Sequence, residues 1–175
     1  MAWGRLCSVV VLVGGLLGAS VSSAVSAKDA TATTSGLPIP RYVSLKSDHV
    51  NVRAGPTKDN DVAWVYTRSG LPVEITAEYE NWRRVRDSEG SEGWVYHSLL
   101  SGRRTAVITM KRKDDLAALH ESAGPDSDVV ARLQAGVVAQ VKKCDAHWCH
   151  VFGNGFDGWI EQQRLWGVYS DEKVD

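Results

Sequence analysis

The feature that most restricts this chain is a set of short apolar strands and turn signals that occurs twice. Val50-Asn51-Val52-Arg53-Ala54-Gly55-Pro56 alternates apolar and polar residues and then meets a Gly-Pro turn. Gly70-Leu71-Pro72-Val73-Glu74-Ile75, Trp82-Arg83-Arg84-Val85, Gly93-Trp94-Val95 and Leu99-Leu100 follow in order. Further on, Gly136 answers Gly70, Trp148 answers Trp82, Gly158-Trp159-Ile160 answers Gly93-Trp94-Val95, and Leu165-Trp166-Gly167 answers Leu100-Ser101-Gly102. Period-two alternation between turn residues reads as half-buried strands, and an internal repeat fixes architecture before any single motif does.

The start of the second copy needs a choice of register. Aligning Gly124-Pro125 with Gly55-Pro56 puts Glu121 where Val52 sits. Placing Leu119 at the Val52 position and Ala117 at the Val50 position keeps the inward face apolar. A one-residue slip turns the core face of a strand to water, so the hydrophobic match outranks the Gly-Pro match, at the cost of a longer loop over 121–128. The strands expected in the first copy are 42–45, 49–54, 63–66, 73–78, 82–86 and 93–96; those in the second are 106–110, 116–120, 129–133, 137–142, 148–152 and 158–160. Neither copy holds a long helical period. His97 to Leu100 and Glu161 to Leu165 read as single helical turns, and Trp82 and Trp148 as core residues at the head of inward-facing strands.

The string Val-Asn-Val-Arg-Ala-Gly-Pro, followed by "W-x-x-V" and "G-W-V", resembles the bacterial SH3-like domain, a small barrel found in exported and wall-associated proteins. The resemblance covers both copies and implies an all-β fold of two tandem SH3-like barrels with short helical turns at their ends. It also implies a non-catalytic module that binds or targets cell-wall material or a protein partner. The second copy departs from the pattern over Ala117 to Pro125, where the Asn and Arg are missing.

Outside the repeat, Met1 to Ala27 combines one positive charge, an apolar run and a small-residue end, the pattern of a signal peptide cleaved after Ala27. Residues 28–40, rich in Ala, Thr, Ser and Pro, read as a disordered linker. The domains expected are 41–105 and 106–169, with 170–175 as a C-terminal tail. Each copy is of a size at which a core is marginal alone, and the join over 101–105 is short, so the copies are expected to pack together. Without Arg5 the 20 basic residues become 19 against 21 acidic, a net charge of −2. That balance argues against nucleic acid, and no stable membrane insertion is expected after cleavage. Location is expected to be periplasmic or extracellular.

Cys144-Asp145-Ala146-His147-Trp148-Cys149-His150 is the sharpest local feature. As a metal site it offers two thiols and two imidazoles, but a structural zinc site wants four convergent ligands, for which cysteines separated by two residues are the stronger signal. As a nucleophile, Cys149 lacks a base, since His150 points to the opposite face of a strand. As a disulfide, Cys144 and Cys149 face each other across a hairpin whose loop is Asp145 to Trp148, and an exported protein keeps such bonds. The bridge is the expectation; no metal and no cofactor are expected.

Trp64, Tyr66, Tyr79 and Tyr96 belong to the first copy alone, their counterparts lying near Val130, Arg132, Lys143 and Glu161. With Arg53 they form the candidate ligand site, a groove for a glycan or peptide of the cell wall or for an envelope protein. The charged run Glu78, Glu80, Arg83, Arg84, Arg86, Asp87, Glu89 and Glu92 reads as solvated ion pairing, and no catalytic carboxylate pair or nucleophile elbow is legible. The alternative class is an accessory protein of a cell-wall hydrolase, or a minimal thiol enzyme using Cys149.

Overall fold

The computed structural model describes residue 1, residues 34–110 and residues 115–175. The expected leader and residues 28–33 of the linker lie outside the described residues, apart from Met1. The first copy comprises β1 (Arg41–Leu45), β2 (Val50–Arg53), β3 (Val62–Tyr66), β4 (Pro72–Tyr79), β5 (Trp82–Arg86), β6 (Glu92–Tyr96), a 3-10 turn (His97–Leu99) and β7 (Leu100–Ser101). The second comprises β8 (Thr105–Ile108), β9 (Leu116–His120), β10 (Val129–Gln134), β11 (Val138–Asp145), β12 (Trp148–Gly153), β13 (Phe156–Glu161), a 3-10 turn (Gln162–Arg164) and β14 (Leu165–Trp166).

Each copy is one curled antiparallel sheet, a half-barrel. The orders are β3-β2-β6-β5-β4-β1-β7 and β10-β9-β13-β12-β11-β8-β14, the same path twice. The chosen register of the second copy holds: Val50 and Val52 have no solvent exposure, and Ala117 at 3% and Leu119 at 0% take the same inward places. Two separate cores result, one around Leu45, Val73, Ile75, Val85 and Val95, the other around Ile108, Leu133, Cys149, Val151 and Ile160. Gly70 and Gly136 both adopt positive φ at the turns before β4 and β11, where a side chain would be strained.

Two ends expected to be loose are attached. At the end of the linker segment, Ser35 donates from N–H and Oγ to the Glu78 carboxylate, at 2.8 and 2.7 Å, and Ile39 packs against the first core. At the C-terminus, β15 (Lys173–Val174) pairs with the far end of β11, Val174 opposite Cys144. A pair of residues gives no periodic signal, which is why β7, β14 and β15 are not visible in the sequence.

Trp82 is buried, at 7% exposure, as expected of a core residue, whereas Trp148 is only half-buried, and neither joins the inward clusters. In "W-x-x-V" an odd spacing separates Trp from the inward Val, so the two side chains leave opposite faces of the strand. Arg83 and Cys149 are the residues that share the inward face with Val85 and Val151.

The copies meet along an aromatic seam. The Tyr42 ring lies 5.1 Å from that of Trp166 and 4.6 Å from that of Tyr169. Tyr169 donates its hydroxyl to Glu74, 3.0 Å away, and the same buried carboxylate accepts from Arg86. Burial and then the Glu74 charge push the Tyr42 hydroxyl up to about 12, and burial with the Glu74 hydrogen bond raises that of Tyr169. Both phenols stay protonated, which keeps Tyr169 a donor. Arg68 adds a bond from the first copy to the Gly136 carbonyl of the second at 3.2 Å.

Candidate functional site

The outer face of each sheet is organised on the tryptophan of "G-W-V". Gly93 and Val95 point inward and Trp94 outward. A Cβ on Gly93 would come within 2.4 Å of Val52 and 3.1 Å of the Trp64 ring; one on Gly158 would come within 2.7 Å of the His120 carbonyl and 2.9 Å of Leu119. Glycine at these positions lets β6 and β13 approach their neighbours while the next side chain is presented to the outside.

In the first copy Trp94 is opposite Arg53 on β2 and Arg84 on β5. Trp82 pairs with both Tyr79 and Tyr96, with ring centroids of Trp82 and Tyr96 5.4 Å apart. Arg53, Trp94, Arg84, Trp82, Tyr96 and Tyr79 therefore run across one outward surface. Tyr79 is 50% exposed, whereas Arg53 donates to the Asn60 carbonyl at 2.6 Å and Arg84 pairs with Glu92 at 2.6 Å.

The expected groove is thereby divided. Arg53, Tyr79 and Tyr96 share the outward surface. Trp64 and Tyr66 sit opposite inward-facing Val52 and Val50 and pack on the margin of the core, with their rings 6.1 Å apart. The Tyr66 hydroxyl donates to Asp87 at 2.9 Å; burial and this bond raise its pKa. Trp94 and Arg84, candidates from sequence as a tryptophan of the first copy and an arginine near the aromatic positions, join that surface, and the odd spacing of "G-W-V" against its inward Gly and Val is what turns Trp94 outward.

The matching surface of the second copy places Trp159 opposite His120 and His150. His150 stacks on Trp159 at 5.1 Å and bonds Asp157, while the Lys143 ammonium lies 4.9 Å from the Trp159 centroid. His120 packs edge-on to Trp148. Pairing equates Trp64 with Ala131, Tyr66 with Leu133, Tyr79 with Asp145 and Tyr96 with Glu161, which corrects three of the expected counterparts and leaves the aromatic asymmetry intact.

The cysteines are bonded, Cys144 to Cys149, with Cα atoms 4.1 Å apart. They are direct partners on β11 and β12, and the strands reach Asp145 and Trp148, so the turn is tighter than the expected four-residue loop. The Asp145 carboxylate accepts the N–H groups of Trp148 and His147, which hold it below the usual carboxylate range. Cys149 is buried and carries no free thiol in this state. Among the described residues no cluster of three or more His, Cys, Asp or Glu is placed to hold a metal, and no helix is long and apolar enough to cross a membrane.

The charged run of the first copy is only partly solvated. The Glu78 side chain is 1% exposed and takes Arg41 at 2.6 Å and Arg83 at 3.1 Å besides Ser35. Burial alone would raise its pKa, but the hydrogen bonds from Arg41 and Ser35 and the Arg83 charge together hold it below the ordinary value.

The chain is thus two curled all-β half-barrels in tandem, each presenting an outward Trp between two basic side chains. The family model for the bacterial SH3 domain matches residues 46–102 and again 113–167. The chain belongs to that family. Among solved structures, it is similar to NlpC2 from Trichomonas vaginalis (14% identity, TM-score 0.31, 73% of this chain and 48% of that one) and to NlpC1 from the same organism (16%, 0.31, 72% and 45%). It is also similar to an NlpC/P60 family protein from Bacillus cereus ATCC 10987 (12%, 0.28, 71% and 55%). The chain spans about half the length of each. A search of curated protein sequences found no match.

Proposed function

We propose that this chain is an exported, non-catalytic binding module of the bacterial cell envelope, and that its first copy holds wall glycan or peptide on the surface of Arg53, Trp94, Tyr96 and Tyr79, with Trp64 and Tyr66 bracing the adjoining margin. The observation that carries the reading is the asymmetry between two otherwise matched surfaces. The first offers an exposed Tyr79, a Tyr96–Trp82 pair and two guanidinium groups; the second has Asp145 and Glu161 at the tyrosine positions. Flat aromatic faces stack on sugar rings or peptide, and a guanidinium fixes a carboxylate or carbonyl. An envelope protein is the second occupant admitted by the same chemistry.

The test is retention of the purified protein on isolated cell wall, set beside capture of total periplasmic protein. Tyr96→Ala and Trp64→Ala are expected to weaken wall retention, an aromatic anchor being worth about 2 kcal/mol or more. Unchanged retention in both folded variants removes the first-copy site.

A further inference from the structure

We infer that the junction of the two copies is a second binding site, a cationic cleft for an anionic saccharide, distinct from the outward aromatic surface. The cleft has a volume of about 410 Å³ and takes its walls from both copies. Lys46, Arg68 and Arg103 line it, and among the described residues no Asp or Glu does. Among the described residues none of these cations forms an ion pair, whereas Arg41, Arg83, Arg84, Arg86, Arg104 and Arg164 all do. In a chain with more acidic than basic residues, a concave surface edged only by unneutralised cations has a positive potential that its walls focus.

The remaining lining fits a hydroxylated body. Gln140 and Asn154 offer amide donors and acceptors, and partly covered Phe152 gives an apolar flank against which a ring can lie. At the floor, Thr105 is 3% exposed and its hydroxyl has no hydrogen-bond partner among the described residues. A phosphate or carboxylate on a sugar would draw charge-assisted bonds from the cations while its hydroxyls meet the amides. The cleft exists only where the copies join: Arg103 and Thr105 fall between the two family-matched segments, so a single domain of this kind would not possess it.

The experiment is calorimetric titration of the purified protein with glucose 1-phosphate, glucuronate and glucose in low salt. Both anions are expected to bind and glucose not to. Binding should weaken as salt rises from about 0.05 to about 0.5 M, because the screening length falls severalfold. The paired variant Lys46→Gln with Arg103→Gln removes two exposed charges and leaves the Arg68–Gly136 bond untouched; it should lower affinity for both anions by about ten-fold or more. A preference for the phosphate or for the carboxylate tells which anionic saccharide is the source. Equal binding of glucose, no binding of either anion, or full binding by the folded paired variant overturns the site. Trp94→Ala separates this inference from the wall-binding surface, since it should leave the titration unchanged whatever it does to wall retention.

Discussion

At the same point of the same ladder, the two copies use different chemistry. Glu78 on β4 faces Arg83 on β5; at the matching pair on β11 and β12 stand Cys144 and Cys149. Each pair closes a hairpin beside a further stretch of chain: Ser35, ahead of the repeat, and Arg41 of β1 reach Glu78, and β15 runs beside Cys144. The position needs a link between strands, and the sheet accepts a covalent bond or a buried ion pair there. What differs is the consequence of breaking it. A disulfide acts on the unfolded chain, while a buried ion pair is strong only as long as every partner is present.

The largest effect is therefore expected in the first copy. Glu78→Ala strands Arg83, which is 8% exposed as a residue, along with Arg41, and should cost about 3–5 kcal/mol in a denaturant titration. A loss no greater than that of a surface substitution would mean that the guanidinium groups find other partners. Replacing both Cys144 and Cys149 by Ala should cost less, about 2 kcal/mol, because the loop they close is short. If the double replacement proves the more damaging of the two, the comparison is reversed.

The pair chemistry also predicts how pH divides the copies. The folded Glu78 carboxyl is held below the ordinary glutamate value of 4.5, so its contribution is complete above about that pH and is lost as pH falls through the depressed value. Glu172, which takes Arg104 at 2.7 Å and the Tyr169 N–H at 2.8 Å, is lowered in the same sense and weakens over the same acid window. The disulfide has no such dependence. Melting measured at neutral pH and at about pH 3 should show a large acid loss in the native protein, reduced in Glu78→Gln, whose neutral-pH stability is already lower. An identical acid loss in that variant would place the titration elsewhere.

A smaller effect is expected at the seam. Tyr169→Phe removes the hydroxyl that meets Glu74, while Arg86 continues to pair with the carboxylate, so about 1–2 kcal/mol should be lost. Two separated unfolding transitions in this variant would show that the bond couples the copies.

The strands, the tandem order and the second-copy register were legible because inward positions repeat with period two, and a wrong register would have put Glu121 in the core. The Cys144–Cys149 bridge was legible from facing positions across a hairpin together with the expectation of export. The outward direction of Trp82 and Trp148 was misjudged where hydrophobicity was taken for burial direction; the spacing to the neighbouring Val carried the answer, as it does for Trp94 and, with Ile, for Trp159. The Glu78 cluster was hidden because Ser35 and Arg41 are distant in sequence, and a charged residue on a strand looks solvated until its partners are known. The Tyr42, Trp166 and Tyr169 seam depends on how two sheets dock, for which no local pattern exists. The aromatic asymmetry was legible, but its division between an outward surface and a core margin came only with the ladder.

Trp94 and Trp159 occupy equivalent places, one between arginines and the other between histidines, and their alanine variants test the assignment of wall binding to the first copy most directly. Retention on isolated cell wall should fall for folded Trp94→Ala by about ten-fold or more, the loss typical of a central aromatic anchor, and should stay near the native level for Trp159→Ala. Equal losses in the two variants, or a loss confined to Trp159→Ala, would contradict it.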